Sequence, residues 1–134
     1  MDPAKPASGR GVDHPSTGAT YELPASITSA RLARELVRSA LDGFEAPLVE
    51  IAELLVSELV ANAVSHAHSA PVMRIDVSGD AVRVAVQDAS REPVEVRDAS
   101  QDSPSGRGLL LVDTLAASWG WAPTPEGKRV WFTL

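Results

Sequence analysis

The chain has 134 residues, a length that suits one domain, with 12 basic against 18 acidic side chains and a net charge of −6. That balance argues against a nucleic-acid binder, which needs a basic field to displace phosphate counterions. The absence of cysteine excludes disulfides and thiolate metal sites.

No segment approaches the length of a membrane span, and the first residues lack the apolar core of a secretion signal. A cytoplasmic protein with no membrane partner is expected. Residues 1–19, "MDPAKPASGRGVDHPSTGA", hold three prolines and three glycines before any apolar pattern begins. They are expected to form a mobile tail, leaving 20–134 as the folding unit. "TYELPA" reads as a short strand in which Tyr21 and Leu23 alternate and Pro24 ends it or marks an edge. "SITSARLARELVRSALDGF" reads as a helix, with Ala33, Leu36, Val37, Ala40, Leu41 and Phe44 at helical spacing. Ser26 or Thr28 can cap it, and Asp42–Gly43 stops it. Arg31, Arg34 and Arg38 line its outer side, either as a solvated face or as a docking patch for an acidic partner.

A second helix is expected from about Pro47, a natural first-turn residue, to about His66. "VMRIDVS" and "VRVAVQD" follow as strands, joined at Gly79–Asp80 in a hairpin. From Ser90 to Ser105 apolar periodicity is lost, and loops that long in a compact domain are usually lids or disordered. "GRGLLLVDTLAASW" reads as a third helix opening directly behind two glycines, followed by a turn at "APTPEGK" and a last strand, "RVWFTL". The order β-α-α-β-β-loop-α-β predicts an α+β fold: a two-layer α/β sandwich, mostly antiparallel sheet with helices on one face.

The second helix carries polar residues where apolar ones are expected. At about 100° per residue, Glu50, Glu53 and Ser57 share a solvent face, while Ile51, Leu54, Leu55, Leu59 and Val56 spread over the apolar arc. Glu58, Asn62 and His66 fall in that same arc. A carboxylate there is costly unless something compensates it. Two readings stay open: a helix end emerging into water, or a helix whose far end walls a polar pocket. The strand "VRVAVQD" favours the pocket. Val82, Val84, Val86 and Asp88 share one face, so a second apolar stripe also ends in an acid. Gly106 and Gly108 precede a helix whose free N–H groups attract anions, although neither a Walker motif nor the full Rossmann fingerprint is present. "HAH" at His66–His68 makes a poor metal site, because residues two apart on a helix do not face each other.

Together these pieces resemble the histidine-kinase-like ATPases of the GHKL or Bergerat fold. "ELVANAVSHA" is similar to the N box, "QDAS" to the first glycine-rich box, "GRGLLLV" to the second, and "GKRVWFTL" to the last strand region. Within that family the chain looks most like short actinobacterial ATP-binding regulators akin to anti-sigma-factor serine kinases. The resemblance implies that ATP and Mg²⁺ are the cofactors, with Glu58 as the base and Asn62 holding Mg²⁺ through its side-chain oxygen. It implies that Asp88 accepts a hydrogen bond from the adenine amino group, with Ser90 beside it, which makes the site prefer ATP over GTP. Gly106, Arg107, Gly108 and Leu109 would receive the phosphates, and His66 and Arg107 would add positive charge. The first box departs from the pattern Asp-x-Gly-x-Gly, reading Asp88-Ala89-Ser90-Arg91-Glu92. The implied partners are an anti-sigma-factor antagonist as phosphorylation substrate, a sigma factor, and a second copy of the chain. The alternative is a module that controls a protein partner through ATP occupancy without turnover.

Overall fold

A computed structural model describes residues 17–67, 69–94 and 104–134. Most of the expected tail and the greater part of the 90–105 loop lie outside the described residues. The elements run β1 (Thr17–Glu22), α1 (Ser29–Ala40), α2 (Ala46–Asn62), a π-helical turn (Ala63–Ala67), β2 (Val72–Ser78), β3 (Ala81–Asp88), α3 (Pro104–Leu115), β4 (Ser118–Thr124) and β5 (Gly127–Thr133). The five strands form one sheet in the order β1-β2-β3-β5-β4, antiparallel throughout, and the fold is the expected α+β type.

The strand alternation builds the core. Met73, Ile75 and Val77 on β2, Val82, Val84 and Val86 on β3, and Val130 and Phe132 on β5 are all buried on one sheet face. They pack with Ala33, Val37 and Leu41 of the α1 region and Ala52, Leu55, Val56, Leu59 and Val60 of α2. Burial of these side chains at about 25 cal/mol per Å² is the main force holding the layers together. β2 and β3 turn through Gly79–Asp80, and Gly79 takes φ 60°, the left-handed geometry a two-residue hairpin requires. Gly43, at φ 94°, supplies the same freedom just beyond α1.

Several local expectations are corrected. β1 reaches back to Thr17, into the stretch read as tail. An added Cβ at Gly18 would come within 2.5 Å of Arg74 Nη2, the end of a flexible side chain that pairs with Asp76 at 2.9 Å. Neither Ser26 nor Thr28 caps the first turn of α1 through its side chain; Ser26 Oγ instead accepts from the Thr28 N–H at 3.2 Å. α2 ends at Asn62, and a π-helical turn continues the axis where regular helix was expected. Glu53 is not simply solvated, since Arg38 of α1 donates to both its oxygens at 3.1 and 2.9 Å. Finally, β4 was not expected. Its Ala122 to Thr124 lie in the stretch expected as a turn, yet β4 is an edge strand, where Pro123 is tolerated.

Among the described residues, the other sheet face carries no helix. There Arg83 lies 5.0 Å from the Trp131 ring centroid, in cation–π range. Trp131 lies over Gly120, where a Cβ would meet Cζ2 at 2.6 Å. On the helical side, the Trp119 indole N–H donates to Asp113 Oδ1 of α3 at 2.8 Å, tying β4 to that helix. Among the described residues no helix is long and apolar enough to cross a membrane.

Candidate functional site

α2 presents its polar residues on the flank of the buried stripe rather than at its centre. Ala52, Leu55, Val56, Leu59 and Val60 are buried, and Glu58 and Asn62 are half-buried beside them. This corrects the expected placement within the apolar arc: the buried stripe is rotated away from Glu58, whose carboxylate therefore escapes full desolvation. Asn62 closes α2, and the π-helical turn packs against β3. Such turns widen a helix by one residue and are frequent at functional sites. His66 falls in that turn, with its side chain outside the described residues.

Asp88 is the last residue of β3 and is buried, as the alternation with Val82, Val84 and Val86 requires. Its Oδ1 accepts from the Ser90 N–H at 2.8 Å and from Lys128 Nζ at 3.3 Å. Lys128 is itself buried and pairs with Asp88 in the β3–β5 register. Ser90 is half-buried, and its Oγ accepts from the Glu92 N–H at 3.2 Å. Ser69 Oγ accepts from the Ala89 N–H at 3.3 Å, fixing the backbone just past the acid. Arg91 reaches the β4–β5 turn, where its guanidinium donates to the carbonyls of Pro125 and Thr124 at 2.6 and 3.4 Å.

Sequence reasoning missed Lys128, although its signal was present. Lys128, Val130 and Phe132 alternate onto the buried face in the same way as the stripe that ends at Asp88. Two core stripes on neighbouring strands thus end in opposite charges, which satisfies the need to pair buried ions.

α3 begins at Pro104, a residue whose fixed φ and missing N–H suit a first helical position. The helix was expected to open behind the glycines, but Gly106 and Arg107 lie inside its first turn and Gly108 and Leu109 follow in the second. In a helix starting there, the amide of Gly106 lacks an intrahelical acceptor, whereas those of Gly108 and Leu109 have one. The Leu109 side chain is buried in the core and so is not available to a ligand. The side chain of Arg107 lies outside the described residues. α3 packs on α2, which brings the helix that carries Glu58 and Asn62 against the one that opens at Pro104. Among the described residues no cluster of three or more His, Cys, Asp or Glu could hold a metal. A Mg²⁺ held by one amide oxygen and by nucleotide phosphates needs no such cluster, and Asn62 fits that donor chemistry.

A family model described as a histidine kinase-like ATPase domain matches residues 23–134. The chain belongs to that family. Membership of a histidine kinase-like ATPase domain family implies ATP binding. Among solved structures, the chain is similar to the RsbU and RsbW domains of Rv1364c from Mycobacterium tuberculosis, with a TM-score of 0.68 and 22% sequence identity. The match covers 87% of this chain and 32% of that one, so this ATPase domain spans about a third of the length of its neighbour. The likeness shows a shared fold. No curated protein matches the chain.

Proposed function

We propose that this protein is an ATP-binding regulator of the anti-sigma-factor kinase type, acting in the cytoplasm and phosphorylating a serine or threonine of an anti-sigma-factor antagonist. The observation that carries the reading is Asp88, a buried carboxylate ending the apolar stripe of β3 in a histidine kinase-like ATPase domain. The RsbW domain named in the similar structure supports the choice of kinase class.

In this reading Asp88 accepts from the exocyclic amine of adenine, with the Ser90 segment against the base. Asn62 holds Mg²⁺, which when bound neutralises phosphate charge. The free amide in the first turn of α3 at Gly106 and the cations Arg107 and His66 accommodate the phosphates, with Gly108 and Leu109 continuing the helix behind them. Glu58 takes the proton of the substrate hydroxyl as its oxygen bonds to the γ-phosphorus. The bond from that phosphorus to the bridging oxygen breaks, and ADP leaves with the electron pair. A sigma factor and a second copy of the chain are the further partners this class entails.

Titrating Mg·ATP calorimetrically into wild type and Asp88→Asn tests the site: binding by wild type that is lost in the variant is expected. Glu58→Ala should keep ATP binding and lose phosphotransfer by about 10²-fold or more, the scale of a positioned general base. A second reading, control of a partner by ATP occupancy alone, is favoured by the glycine-free segment Asp88-Ala89-Ser90-Arg91-Glu92. It gains if Glu58→Ala leaves regulation of the partner intact.

A further inference from the structure

A carboxylate alone at the base site discriminates sharply. It accepts from the 6-amino group of adenine and repels the 6-oxo group of guanine. In this chain the carboxylate is not alone. Lys128 is buried with it, Nζ 3.3 Å from Asp88 Oδ1, on the neighbouring strand and in direct register. Oδ1 also takes the Ser90 N–H, so it is already shared by two donors, and Oδ2 has no donor among the described residues. An ammonium carries three donors, and among the described residues Lys128 spends one of them, on Asp88. The end of the β3–β5 pair therefore offers an acceptor and a donor side by side.

We propose that Lys128 is a base-contacting specificity residue that makes the site accept guanine as well as adenine nucleotides. The inference rests on the nucleotide reading of the Asp88 site. Adenine presents its 6-amine donor next to the ring acceptor N7, and guanine presents the N1–H donor next to the 6-oxo acceptor. With Lys128 Nζ at N7 and Asp88 Oδ2 at the 6-amine of adenine, an in-plane shift of the base by one position brings Lys128 to the 6-oxo group and Asp88 to the N1–H of guanine. Without the ammonium, the guanine oxo group would be left buried against a carboxylate, the kind of unpaired contact that gives strong rejection.

The test is calorimetric titration of Mg·ATP and of Mg·GTP into wild type, Lys128→Met and Lys128→Gln. Wild type should bind both nucleotides with affinities within about tenfold, and Lys128→Met should lose about tenfold or more in GTP affinity relative to ATP, the scale of one hydrogen bond to a charged group. Lys128→Gln, which keeps a neutral donor and leaves the fold less exposed to an unpaired Asp88, should fall between them. It decides the matter if the methionine variant does not fold. Wild-type protein that binds ATP and rejects GTP, or a GTP-to-ATP ratio untouched by both substitutions, overturns the assignment and leaves Lys128 as a structural partner of Asp88. Failure of wild type to bind either nucleotide overturns the nucleotide reading itself and this inference with it.

Discussion

At Gly127 an added Cβ would lie 2.1 Å from the Asp88 carbonyl oxygen and 2.7 Å from backbone carbons of Ala89. These are backbone atoms, so no side-chain rotation relieves the clash. Gly127→Ala must part the ends of β3 and β5, and overpacking of that kind typically costs about 1–3 kcal/mol. A lower urea midpoint and weaker ATP binding are expected together, because the same movement displaces Asp88 from Lys128. Unchanged values of both would show that the strand ends separate without consequence. The two members of that ion pair were not equally legible. Asp88 announces itself as an acid ending a run of valines. Lys128 ends an equivalent stripe, but a lysine on a core face gains meaning only when the acid opposite is known. Register between strands this far apart in sequence is not written in local pattern.

The α1–α2 pair shows how one polar contact sets the relation of two helices. Arg38 donates to both oxygens of Glu53, and this hydrogen bonding holds the Glu53 carboxyl below the ordinary glutamate range. A carboxyl lowered in the folded state contributes stability above its unfolded value, and that contribution fades as pH falls through the lowered value. Glu53→Gln should therefore unfold at a lower urea concentration than wild type at about pH 7, with the gap closing toward about pH 3. The effect should be small, since Arg38 is solvent-exposed. A gap that persists in acid would assign it to packing instead. At this scale the helices and the β2–β3 hairpin were readable because period and turn chemistry agree. β4 was not, because Gly120 and Pro123 interrupt it and its pairing with β5 alone makes it a strand. The start of α3 was displaced for a similar reason: the glycines drew attention, while Pro104 fixes the helix end.

All helices among the described residues lie on one side of the sheet, which gives it a wet face and a dry one. The alternation of β2, β3 and β5 foretold this layering. The strand order did not follow from it. β5 inserts between β3 and β4, and that choice belongs to the whole chain, since only there can Lys128 meet Asp88 across 40 residues of sequence. The bond between Trp119 and Asp113 links the sheet edge to the body of α3, whose first turn faces the proposed phosphates. In optical terms, this makes an indole a strain gauge on that helix. If nucleotide shifts α3, the hydrogen bond to the indole changes length, and its emission maximum moves. Adding Mg·ATP should alter tryptophan fluorescence in wild type and leave that of Trp119→Phe unchanged. A signal that survives in Trp119→Phe would come from Trp121 or Trp131 and would report a different part of the sheet. The protein would then be its own dye, read without any label attached.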